Sequence, residues 1–377
     1  MSEEKIELNA ANQELLKQVN DLYPEGTVFV QFHGEKSGYV RHDQATQKTL
    51  PGGLFIIVTD LTAPNYTASH ELLHLLMLLR GFPQIFFQLS LGDKQLDEQM
   101  MIMSTDLYNV AMHRVVVAEQ RKHNLIDDQV EEEYLKGIEH TLTPEGGKDD
   151  EEKTLRLLTL LDALVFYGDH IDKYEDRLKG NYPEALAAAK KIYDEIVAKP
   201  IKSPFDMRRS IIKVYSLFDQ QMQEWGLPAL HNNEYTTLSP VLSERQLRLS
   251  LRQVFEIYHS DMKERGTTKR AYVGIRRSDG QNSFTMPAPN PETPEEFKKL
   301  YAQPVKEFLE KHSIPYIVRK WSDGYKHSSS IWWCKTHCLL NGGWCFNRFR
   351  DSRLPVSKWP LYPEPERGIL FEPPLFC

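Results

Sequence analysis

The chain has 377 residues, room for one large domain or two ordinary ones; 41% are hydrophobic and 26% charged, as in a soluble globular protein with a core. A formal net charge of −7 gives no whole-chain case for binding nucleic acid or an anionic membrane, and no apolar run reaches the length of a membrane span. The opening Met-Ser-Glu-Glu-Lys-Ile-Glu lacks the apolar segment of a signal peptide, so a cytoplasmic protein is expected. Cys334, Cys338, Cys345 and Cys377 all fall near the end, so the main body is built without disulfides.

In chain order, residues 9–22 read as an amphipathic helix stopped by Pro24 and Gly26. Strand character follows at 27–32, 38–42 and, after a Pro-Gly-Gly turn, 54–60. Next comes Thr67-Ala-Ser-His70-Glu71-Leu-Leu-His74, an HExxH motif. Helical spacing puts His70 and His74 on one face, one turn apart, where both can ligate one Zn²⁺. Glu71 is then placed as general base toward a water activated by the ion. The run Leu72–Leu79 holds no Gly, Pro or β-branched residue, and Arg80-Gly81-Phe82-Pro83 ends it. Thr62 or Asn65 is the expected N-cap, with Pro64 in the first turn. A helix apolar nearly all round is a buried one, and imidazoles and a carboxylate buried there need partners.

A small sheet leading into this helix resembles the zincin metallopeptidases, over about residues 27–125. The resemblance implies a third metal ligand on a following helix. Residues 94–124 read as that helix, with Asp93 as N-cap. Within it His113 is the expected ligand, and Asn109, one turn back, is its expected orienting neighbour. Glu98 is the alternative ligand, about 22 Å from His113 along a continuous helix, so the two exclude each other. Asp106 and Glu119 are weaker rivals. Tyr108 and Arg114 are assisting candidates that nothing in the sequence selects. The extended metzincin pattern is absent after His74.

Residues 128–140 read as a short charged helix, and 143–152 as an acidic linker. Helices are expected at about 151–178, 183–198, 204–225 and 243–265, with His170 structural or exposed. A strand at 270–276, a helix at 293–311 and a strand at 314–321 make an expected β–α–β element. From about residue 327 the chain is irregular and rich in Cys, Trp and Pro. It reads as an extension foreign to the main body; Cys334, His337, Cys338 and Cys345 as a zinc knuckle are the alternative.

The expected fold class is therefore α+β and predominantly helical. A zincin-like domain at 1–142 precedes a helical region at 150–265, a β–α–β element at 266–326 and the tail at 327–377. Two segments, Ser69–Pro83 and Glu119-Gln-Arg-Lys-His123, also resemble a group of bacterial cytoplasmic proteins catalogued as the IpaB/EvcA family, to roughly residue 325. The expected function is a zinc-dependent hydrolase, a peptidase acting on a peptide or protein, with the strand at 54–60 offering an edge to an extended substrate. The alternative is a non-catalytic interaction or regulatory protein on the same scaffold. Nucleic-acid binding has little support beyond the basic residues around 263–277.

Overall fold

The computed structural model describes residues 6–146 and 152–319, and the Cys-rich tail lies outside them. Helix α1 (Ala10–Leu22) starts where the Asn9 side chain accepts the Asn12 N–H, and it buries Asn12, Leu15 and Val19. Three strands follow: β1 (Thr27–Glu35), β2 (Ala45–Leu50) and β3 (Gly53–Asp60). Their order is β1-β3-β2, parallel to β1 and antiparallel to β2. The turn before β3 requires glycine, because a Cβ on Gly53 would stand 1.8 Å from the Thr27 carbonyl oxygen. β3 is thus the middle strand and offers no free edge; the edges belong to β1 and β2. The strand expected at 38–42 is instead a loop between β1 and β2, and β2 is a strand that periodicity did not reveal.

Helix α2 (Pro64–Leu79) carries the HExxH motif and buries twelve of its sixteen residues. Neither expected residue caps it. Thr62 is turned to Asp60 and Gly38, and Asn65 binds Asn9 and Asn12 of α1. Two short strands, β4 (Ile85–Phe86) and β5 (Leu89–Ser90), lead to the long α3 (Lys94–Lys122), capped by Asp93 as expected. Then come α4 (Asp128–Thr141) and α5 (Lys153–Tyr167). The helix expected to run to 178 breaks at Gly168, whose φ of 54° reverses the chain into a 3-10 turn before α6 (Glu175–Asn181). α7 (Pro183–Val197) and α8 (Pro204–Glu224) complete the helical layer.

Beyond it the structure departs further from expectation. After α9 (Asn232–Tyr235), β6 (Thr237–Leu238) and β7 (Val241–Ser243), the helix expected at 243–265 is replaced by α10 (Glu244–Arg248), α11 (Leu251–Val254) and β8 (Phe255–Glu264). β8 alternates buried and exposed residues and pairs antiparallel with β9 (Arg270–Arg276), which pairs with β10 (Asn282–Met286). α12 (Pro294–Ala302) and α13 (Val305–Lys311) are separated at Gln303-Pro304, and β11 (Ile317–Arg319) pairs with β7 rather than β9. The two strands of the expected β–α–β element therefore belong to different sheets.

One core runs from Leu15 to Val273, so residues on both sides of 147–151 share it, while a smaller core gathers Leu242 to Tyr316. β4 pairs with β6 and β5 with β8, which ties the first hundred residues to the last sheets. The fold is α+β and more helical than extended. No helix among the described residues is long and apolar enough to cross a membrane.

Candidate metal centre

Helix α2 sets out Tyr66, His70 and His74 at four-residue spacing, so all three share one face. α3 brings His113 against them, and the loop between β1 and β2 brings His42. The His70 ring centre lies 4.6 Å from that of His74, 4.8 Å from His113 and 4.5 Å from His42; the His74 and His113 rings are 5.2 Å apart. One ring nitrogen each from His42, His70 and His113 falls within a 4.8 Å span.

Asp162, on α5, organises two of these rings. Its Oδ1 lies 2.6 Å from Nδ1 of His113, and its Oδ2 lies 2.8 Å from Nδ1 of His42. Both rings thereby turn Nε2 away from the carboxylate. Nε2 of His42 meets the Tyr66 hydroxyl at 2.8 Å, whereas Nε2 of His113 is buried without a hydrogen-bond partner. Nδ1 of His70 is buried in the same unpartnered way. The Tyr134 hydroxyl reaches Asp162 at 3.4 Å.

Burial holds His70 and His74 well below the usual histidine range, and the neighbouring imidazoles add to the effect. His113 is lowered by burial, with Asp162 opposing. Burial would raise Asp162, but His113 and His42 outweigh it and hold the carboxyl far below the usual range. Neutral imidazoles beside an ionised carboxylate are what a cation requires. Each unpaired buried nitrogen costs about 1–3 kcal/mol if nothing binds it. The residues fit a metal ion on that ground, and an all-imidazole set suits zinc, copper, iron or nickel.

Glu71 is half-buried beside the cluster, and Gln47 of β2 donates to its Oε2 at 3.0 Å. Burial raises its pKa, with the Gln47 hydrogen bond and His42 opposing. The side chains of His42 and Asp162 keep 15% and 18% exposure, so solvent reaches this wall of the centre.

The other sequence candidates sit as follows. Glu98 is at the start of α3, ion-paired with Lys94 at 3.9 Å and about 22 Å along the helix from His113. Asn109 has a buried Oδ1 without a partner, and the group on Nδ1 of His113 is Asp162. The Tyr108 hydroxyl donates to the Pro83 carbonyl, and Arg114 donates to Ser210 and the Lys199 carbonyl, so both are engaged in packing. Glu119 pairs with Lys122, and His170 with Glu131 at 2.6 Å. Asp106 is half-buried on the α3 face of His113.

Sequence reasoning missed His42, Asp162, Tyr66 and Gln47. His42 sits in a loop with no spacing to betray it. Asp162 was findable: a lone carboxylate in Thr-Leu-Leu-Asp-Ala-Leu-Val-Phe raises the same question of a buried polar group that the motif helix raised. No family model matches the chain, and neither the curated proteins nor the solved structures hold a significant match to it.

Proposed function

We propose that this protein is a metal-dependent hydrolase, with peptides or proteins as the substrate class and zinc as the favoured ion. The observation that supports this most is the convergence of ring nitrogens of His42, His70 and His113 within 4.8 Å, the last two on rings with a buried, unpartnered nitrogen, with the His74 ring centre adjoining at 4.6 Å from His70 and 5.2 Å from His113. His70, His74 and His113 would hold the ion. When bound, it supplies Lewis acidity to a carbonyl and lowers the pKa of water.

Glu71 takes the proton of the attacking water and returns it to the leaving amine. A carboxylate with a raised pKa is suited to both transfers. Gln47 holds one carboxylate oxygen and leaves the other for the water. The solvent-facing wall at Glu71 and His42 gives substrate its approach.

A non-catalytic metal site is the second reading, and one observation favours it: four imidazoles crowd one centre, enough to close a tetrahedral shell. Metal analysis of wild type beside His74→Ala, followed by a peptide-substrate screen of wild type beside Glu71→Gln, separates the two. The hydrolase reading expects one ion per chain, and a fall of about 10²-fold or more in rate for Glu71→Gln at unchanged metal content. Equal rates for the two proteins would sink it.

A further inference from the structure

We infer that His42 is itself a ligand of the centre, and that Asp162 is the positioning residue that delivers His42 and His113 to the ion as a pair. This rests on the metal-site reading alone: as a fourth imidazole beside His70, His74 and His113, His42 would close a tetrahedral shell and so favours the non-catalytic reading of the centre. His42 belongs to neither the motif helix nor the helix after it, yet its ring nitrogen joins those of His70 and His113 within 4.8 Å. Metal–nitrogen bonds of about 2.0–2.1 Å in a tetrahedral shell put ligand atoms about 3.4 Å apart, so the three rings need close by no more than about 1.4 Å.

The carboxylate supplies the reason they converge. Asp162 holds Nδ1 of both rings, at 2.8 and 2.6 Å, which fixes the N–H on that nitrogen and leaves each Nε2 with its lone pair for a cation. For His113 that atom is already unpartnered. For His42 it is held by the Tyr66 hydroxyl at 2.8 Å, the group an ion would displace. Tyr66 occupies the place of the ion at His42, and metal binding exchanges one for the other.

The backbone favours the same role. The Val40 N–H donates to the Glu133 carbonyl at 2.9 Å, and Tyr39 stacks on His140 at 4.5 Å. The loop that carries His42 is thus fastened to α4 just ahead of the histidine, as a ligand-bearing loop must be.

The test is a zinc titration of the full chain after chelator treatment, by calorimetry, with cobalt absorption as a second readout. Wild type is compared with His42→Ala, His42→Asn, Asp162→Asn and Tyr66→Phe. Asn at 42 retains an amide donor for Asp162 and so preserves packing if Ala does not fold. The expected results are a loss of at least about 10-fold in affinity for both position-42 variants and about 10- to 100-fold for Asp162→Asn. The cobalt spectrum should change in the position-42 variants, as one nitrogen leaves the ion. Tyr66→Phe should bind as tightly as wild type or more so, and should lack the tyrosine difference absorption that metal induces in wild type. Wild-type affinity and an unchanged cobalt spectrum in a folded position-42 variant would overturn the ligand role of His42. Wild-type affinity in Asp162→Asn would overturn the positioning role. A wild type that takes up no zinc or cobalt would overturn the metal reading itself, and the two failures are thereby distinct.

Discussion

Asp106 shows how the acidic side of the centre bears on stability. Burial, followed by the charges of Asp162 and Asp43, raises its pKa to about 7 from an ordinary 3.8. An acid raised in the fold keeps its proton there while the unfolded chain has lost it. The stability it contributes is therefore complete below about pH 4 and is lost as pH climbs to about 7. A three-unit shift sets a ceiling of about 4 kcal/mol, and the accessible surface Asp106 retains lowers that to about 1–2 kcal/mol. Asp106→Asn removes the charge and keeps the shape. In chelated protein it should raise the melting temperature by a few degrees at pH 8 and leave it unchanged at pH 4. A lower melting temperature at pH 8 would mean that the carboxylate has a cationic partner there. At this scale the sequence was legible where spacing carries the information. His70, Glu71 and His74 announce a shared helix face, and His113 stands out in an apolar stretch. His42 and Asp162 are lone residues whose roles come from contacts with parts of the chain 24 or more positions away, although the apolar setting of Asp162 marks it as a buried carboxylate.

Among the elements, the motif helix is readable from its composition and the Arg-Gly-Phe-Pro stop, though not from its cap, and the long α3 from its composition and its Asp93 cap. The segment 243–265 was misread because Leu247, Leu251, Val254 and Tyr258 fit a helical period while Phe255, Ile257 and Met262 serve a strand. Pairing of β8 with β9 decides between them. The loop before β2, read as a strand at 38–42, has no strand partner there, and its position is set by α4. A Cβ on Gly137 would stand 2.1 Å from the Val40 carbonyl oxygen, so this glycine lets the loop lie directly on the helix. Gly137→Ala should push the loop outward and carry His42 with it. The expected result is zinc affinity weakened by about tenfold with the helix content intact, read by titration and circular dichroism. Unchanged affinity would show that the loop finds its place without this contact.

For the molecule as a whole, the centre is assembled from four places: the His42 loop, α2, α3 and, through Asp162, α5 from beyond the 147–151 segment. These parts share one core, so an ion held by them is linked to the stability of that core rather than to one helix. Zinc at about 100 times its dissociation constant should add about 2.7 kcal/mol, enough to raise the melting temperature by roughly 3–4 °C in a chain of this size, and chelator should reverse it. Hydrogen exchange locates the effect. If Asp162 couples α5 to the ion, zinc should slow exchange in residues 36–44, in α2, in α3 and in α5 together. Asp162→Asn should confine the protection to α2 and α3. Protection limited to those two helices in wild type would mean that α5 only walls the site, and that the ion stabilises the motif helix and its neighbour alone.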